Sequence, residues 1–229
     1  MDDSAALGRL FPLFFGLNEA ELRHVKSAIR YRSIQKGDVV FHHLDPCSSV
    51  CLVFAGHLML RRVSASGREV GYSRFLSGSY FGQVAALDGE PRLGDVVALA
   101  RSEVGVIPGQ VFASLTDQLR PLAETLLLHM CGRIRDLSAR IYDQVALTVP
   151  LRVEAEILRM AIDAGIAANT ARIVPSPTHA QLAALVGGQR EAVTRVFGRL
   201  VREGLVVSRH DGLIVRDVGA LAARVKSAG

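Results

Sequence analysis

Residues 178–215 read THAQLAALVGGQREAVTRVFGRLVREGLVVSRHDGLIV, and their pattern decides how the rest of the chain is understood. The stretch opens on Thr178-x-x-Gln181, a capping box. In it the Thr hydroxyl takes a backbone N–H of the first turn and the Gln side chain takes the N–H of the cap residue. Leu182, Leu185 and Val186 predict a short apolar helix, and Gly187-Gly188 then permits a sharp turn. A second helix is predicted from near Gln189, with Val193, Val196, Phe197 and Leu200 at helical spacing and facing inward. Two β-rich runs, 205–207 and 213–215, flank the turn dipeptide Asp211-Gly212. Helix, glycine turn, helix and hairpin together are the pattern of a helix-turn-helix with a β wing.

The outer face of the second helix carries chemistry suited to DNA. Arg190, Glu191, Thr194 and Arg195 share one side of its first two turns, the part of a recognition helix that meets base edges. An arginine fork matches O6 and N7 of guanine, and a carboxylate accepts from the cytosine amino group. Thr178, Gln189 and Arg199 complete the candidate DNA-binding set. A solvated amphipathic helix is the competing explanation, and for Arg199, Arg202 and Glu203 it fits as well.

Composition places this reading in context. A chain of 229 residues suits two modest domains. Residues 148–229 hold 11 Lys and Arg against 7 Asp and Glu, whereas the preceding part holds 16 against 15. The positive charge that phosphate requires is thus concentrated where the helix-turn-helix lies. No stretch has the length of a membrane span. The acidic start, Met1-Asp2-Asp3, lacks a signal-peptide pattern, and Cys47, Cys51 and Cys131 form no disulfide framework, so a cytoplasmic protein is expected.

Upstream, the chain reads as β. Short apolar runs at 38–41, 50–54, 57–63, 69–72, 95–99 and 104–107 are separated by Gly37, Gly56, Gly67 and Gly78, a spacing expected of a barrel, roll or sandwich. The apolar segment 10–17, with Pro12, reads as a cap packed on this domain. A helix is predicted over 121–146, in which Leu127, Met130, Ile134, Leu137 and Ile141 form a heptad-like seam. Its other faces are polar, and a two-fold dimer would match a palindromic site, so these residues are the expected dimer interface. Pro150 ends this helix, and another runs over 151–164 into a loop containing Gly165, Asn169, Pro175 and Pro177.

This organisation resembles the Crp/Fnr superfamily of transcription regulators along nearly the whole chain: cap, β-roll with Lys36-Gly37-Asp38, dimer helix and winged helix. The resemblance implies an α+β fold with three segments. Residues 1–120 would form a jelly-roll effector-sensing domain, 121–147 the dimerisation helix and 148–229 the winged helix-turn-helix. Arg190-Glu191-x-x-x-Arg195 stands as in Crp-type members, where the two arginines would read guanines and the Glu a cytosine in a TGTGA-like half-site. Thr194 is similar to the Ser that Fnr-type members place there. Double-stranded DNA, RNA polymerase and a second copy of the chain are the partners the resemblance implies.

Residues 81–94, FGQVAALDGEPRLG, look like the phosphate-binding cassette of cyclic-nucleotide domains, with cAMP or cGMP as the implied effector. There, amides at a helix start and an arginine would take the cyclic phosphate. Gly82, Gln83, Val84, Arg92, Leu93, Leu137 and Ser138 are the implied effector residues. Gln83 stands where the family has Glu, Leu93 where it has a small or hydroxylated residue, and Leu137 where Crp-type members have Thr. Each missing partner in a buried site costs about 1–3 kcal/mol. A cyclic nucleotide, another anionic ligand and no effector all stay open. So does a nucleotide-binding module without DNA output, against which the Arg190–Glu191–Arg195 face argues. No catalytic constellation stands out and no enzyme is expected. His42, His43, Cys47 and Cys51 leave room for a metal or haem, although a pair of core cysteines explains the spacing better. His57, His129, His179 and His210 read as ordinary polar or packed histidines, and Cys131 as a buried thiol.

Overall fold

A computed structural model describes residues 4–46, 48–67, 69–210 and 212–227. Cys47 and Asp211, on which two of the sequence readings rest, lie outside these residues, as does the acidic start. The chain forms two compact units, residues 1–68 with 72–135, and residues 136–229 with 69–71.

The first unit begins with α1 (Ser4–Leu10), a 3-10 turn (Pro12–Phe14) and α2 (Glu19–Ser27). The strands β1 (Arg30–Ile34), β2 (Val39–Phe41), β3 (Val50–Ala55), β4 (His57–Val63), β5 (Glu69–Leu76) and β6 (Tyr80–Phe81) follow. Then come α3 (Gln83–Asp88), β7 (Asp95–Ala98), β8 (Ser102–Ile107), α4 (Gly109–Gln118) and α5 (Arg120–Ala146). The strands make two four-stranded sheets, β1-β8-β3-β6 and β2-β7-β4-β5. Alternation along β3 shows how one strand serves two cores. Cys51 and Val53 enter the core between the sheets with Phe41, Leu58, Phe81 and Val96. Val50 and Leu52 point the other way, onto Phe11, Leu13, Phe14, Phe112 and Leu122 of the helical layer. The apolar segment near Pro12 is therefore the packed cap it was read to be. β1 was not expected as a strand: its first four residues are exposed and only Ile34 is buried, so it carries no apolar alternation.

The second unit takes the last part of α5, then α6 (Val149–Ala164), β9 (Ile166–Ala167), β10 (Thr170–Ile173), α7 (His179–Val186), α8 (Arg190–Arg202), β11 (Val206–Arg209), β12 (Gly212–Val215) and α9 (Val218–Lys226). Pro150 lies in the first turn of α6, where its missing N–H costs nothing, behind the cap residue Thr148. The stretch after Gly165 is not the plain loop expected from its Gly, Asn and Pro content. It contains a tight hairpin whose turn, Ala168-Asn169, has positive φ at both residues. β10 then pairs with β12, so the wing is built on a four-stranded sheet, β11-β12-β10-β9. The core collects Ile157, Leu182, Val193, Phe197, Leu200, Leu213 and Val215.

Candidate nucleic-acid interface and effector cassette

The helix-turn-helix is positioned by the chemistry its sequence announced. The Thr178 hydroxyl accepts from the Gln181 N–H at 3.2 Å, and the Gln181 side chain accepts from the Thr178 N–H at 2.9 Å. Gly187 ends α7 in the left-handed region, at φ 61°, and the chain turns into α8. Val193, Val196, Phe197 and Leu200 are buried, which fixes the rotation of α8 about its axis. Gln189, Arg190, Glu191, Thr194 and Arg195 are consequently exposed together. Among the described residues, no hydrogen bond or ion pair holds the side chains of Glu191 and Arg195. Ser208, Arg209 and His210 are exposed at the end of β11, and Arg209 adds a cation on the wing that sequence reasoning passed over.

Arg199 is placed differently from the rest of the set. Its guanidinium pairs with the fully buried carboxylate of Glu154 on α6, which also meets Arg224 at 3.0 Å. Removing one partner from a buried ion pair is costly, so Arg199 is held toward the inside of the unit. Glu156, also buried, is held by Arg140 at 2.7 Å and by Arg159 at 3.0 Å, and Arg159 pairs with Asp143. These pairs tie the end of α5 to α6. Two buried glutamates two residues apart were not singled out in the sequence, although their place in an apolar helix was a signal.

On α5, Leu122 and Leu126 are buried and Met130 is partly buried against the same core. Met130 is therefore a residue of the first unit's core, where sequence reasoning had put it in the seam. Leu127, Ile134, Leu137 and Ile141 are 65%, 63%, 41% and 67% exposed, and Val145 extends the same stripe at 86%. Cys131 is exposed, not buried as expected.

The turns of the cassette are formed, and its arginine is buried. Gly82 stands at φ 91°, and a Cβ there would lie 2.5 Å from the Ser49 carbonyl oxygen and 2.7 Å from Arg92 Nη1. Only glycine tolerates both the angle and the approach. Arg92 is 3% exposed, its Nη1 donates to the Gly82 carbonyl at 2.9 Å, and its Nη2 donates to the Ser49 carbonyl at 2.6 Å. Its guanidinium also sits 3.7 Å from the centre of the Phe41 ring. Gln83 and Val84 begin α3, and Leu93 is 59% exposed. Leu137 and Ser138 lie on the part of α5 that belongs to the other unit. Just ahead of the cassette, the Tyr80 hydroxyl meets His129 Nδ1 of α5 at 3.0 Å. Burial pushes the Tyr80 phenol up to about 12 and lowers His129, so a neutral phenol faces a neutral ring.

No helix among the described residues is long and apolar enough to cross a membrane. Residues 31–118 match the family model of the cyclic nucleotide-binding domain, and residues 151–224 that of the Crp-like helix-turn-helix domain. The chain is 21% identical over 215 residues to the CRP-like cAMP-activated global transcriptional regulator of Mycobacterium tuberculosis, covering 93% of this chain and 96% of that one. It is 27% identical over 195 residues to the cyclic AMP receptor protein of Thermus thermophilus, covering 85% and 88%. Among solved structures, FixK2 from Bradyrhizobium japonicum superposes with a TM-score of 0.75 at 17% identity, over 85% of this chain and 96% of that one, a likeness of fold.

Proposed function

The chain belongs to the Crp/Fnr family of transcription regulators and binds DNA, and from that premise we propose that it works as a cytoplasmic homodimer reading a palindrome with TGTGA-like half-sites. The observation that carries this reading is the joint exposure of Arg190, Glu191, Thr194 and Arg195 over a buried apolar face that fixes their direction. In this reading Arg190 and Arg195 take guanines, Glu191 takes the amino group of a cytosine, and Gln189 and Thr178 contact the backbone or base edges beside them. The exposed stripe of α5 supports the dimer. Leu127, Ile134 and Ile141 recur every seven residues, with Leu137 and Val145 between and after them. Burying each such side chain contributes about 1.5–3 kcal/mol. Selection of binding sites from random DNA tests the reading: a two-fold motif with TGTGA-like arms supports it, and a motif without two-fold symmetry sinks it.

For the sensor, we propose that the cassette does not hold a cyclic nucleotide. The names of the Mycobacterium and Thermus relatives favour cAMP, but Arg92 favours the closed site. Each of its terminal nitrogens already gives one N–H to a carbonyl oxygen of its own unit, and the guanidinium is buried, so a cyclic phosphate would have to share it with the backbone. Gln83 and Leu93 remove the charged and small partners as well. Calorimetric titration with cAMP and cGMP decides the matter. No heat in protein that binds its palindrome supports the closed cassette, and saturable one-site binding overturns it.

A further inference from the structure

His179 is the first residue of α7, and its ring lies against the recognition helix. Its Nδ1 is 2.8 Å from Thr194 Oγ1, and its ring centroid is 4.9 Å from that of Phe197. Thr194 Oγ1 in turn donates to the Arg190 carbonyl at 2.9 Å. A hydroxyl has one proton and two lone pairs. With the proton given to the carbonyl, the imidazole has to be the donor at Nδ1, and the Thr194 hydroxyl retains no proton to offer a base. Both hydrogen bonds also hold the Thr194 side chain in one rotamer. Thr194 is nevertheless exposed on the face that carries Arg190, Glu191 and Arg195. What it has left to present there is its methyl group and one acceptor lone pair; thymine offers the major groove an acceptor, which that lone pair cannot bond, and a C5-methyl, and apolar contact with that methyl is a means of reading the base.

We propose that His179 is a specificity-determining residue of the DNA-reading face: by holding the Thr194 hydroxyl inward, it makes Thr194 recognise a thymine through methyl contact. This rests on the docking of α8 in the major groove proposed above. The sequence presented Thr194 as a polar counterpart of serine, and nothing in residue spacing linked it to a histidine on the preceding helix.

The test uses the full chain and its selected palindrome. Each thymine of a half-site, on either strand, is replaced in turn by deoxyuridine, which lacks only the methyl, and affinity is read by fluorescence anisotropy. Wild-type protein is expected to lose about fourfold at one position per half-site, the worth of one buried methyl. In Thr194→Ser, which removes the methyl from the protein, sensitivity at that position disappears. In His179→Phe, which keeps a ring against Phe197 but no donor, the hydroxyl is released and the deoxyuridine penalty falls below about twofold. The proposal is overturned if no position shows a penalty that Thr194→Ser removes, or if the penalty persists unchanged in His179→Phe. Failure of the docking reading is distinguishable, because Glu191→Ala would then leave base preference intact on unmodified DNA.

Discussion

Two arginines, each expected to meet an anionic or electron-rich partner, end in opposite situations. Arg195 projects from α8 with its neighbours exposed around it, whereas Arg92 is buried under Phe41 and bonded to two carbonyl oxygens of its own unit. The local sequence around each is equally suggestive. The difference arises in what lies behind them. Behind Arg195 a row of buried apolar side chains fixes one face of a helix and leaves the other to solvent. Around Arg92, a glycine at positive φ lets the backbone approach closely enough to take the guanidinium itself. An arginine in a recognisable motif is thus turned outward or drawn inward by the packing around it, which its own motif does not specify.

The largest effect that would break this contrast concerns neither arginine but the helix that follows the sensor. Ile141→Asp places a carboxylate in the proposed seam of both protomers and is expected to cost about 3–5 kcal/mol of association, as an unpaired buried charge does. Sedimentation should then show monomer and DNA affinity should collapse; an intact dimer would remove α5 from the interface. Arg199→Ala and Arg195→Ala sharpen the division within α8. The first strands part of the buried Glu154 charge and should lower unfolding stability by about 2–4 kcal/mol. The second should leave stability within about 0.5 kcal/mol. It should also weaken specific binding by about 1–3 kcal/mol per half-site contact and relax base preference there. Melting curves and site selection on both variants check the pair; equal melting losses would contradict it.

Arg92→Ala tests the closed cassette directly. It leaves the carbonyls of Gly82 and Ser49 without their donor and should destabilise the first unit by about 1–3 kcal/mol. A surface arginine awaiting ligand would show almost no loss in thermal unfolding. The smallest effect is a pH response. Burial, with Arg74 adding to it, lowers His57 from 6.5 to about 4. Between those values the unfolded chain binds the proton and the folded one does not, so stability rises with pH across that window and falls as pH drops from 6.5 toward 4. The slope from this group is at most about 1.4 kcal/mol per pH unit. His57→Gln should reduce it, as measured by denaturant unfolding at pH 4.5 and 6.5.

Much of the fold was legible because its signals are local. The capping box at Thr178, the left-handed Gly187 and the apolar spacing of α8 each act within a few residues, and the winged helix follows from them. The strands with apolar alternation were legible for the same reason. β1 was not, since Arg30, Tyr31, Arg32 and Ser33 are exposed and carry no alternation. The β9–β10 hairpin escaped because its strands are two and four residues long and β10 is secured by β12, some forty residues downstream. α9 was missed although Asp217 caps it, its side chain accepting the Ala220 N–H at 2.7 Å. That short helix has few residues in which to show a period.

The site divides in the same way. Which residues of α8 face outward was determined by sequence alone, because a helix with one apolar stripe has one way to bury it. That Arg199 answers to Glu154, that Met130 faces the first unit's core, that Arg92 is held by the carbonyls of Gly82 and Ser49, and that His179 takes the Thr194 hydroxyl were decided only by tertiary structure. In each case the deciding partner comes from a different segment of the chain. A hydrogen bond or ion pair is won by whichever group packing brings within about 3 Å, and spacing along one segment does not encode that.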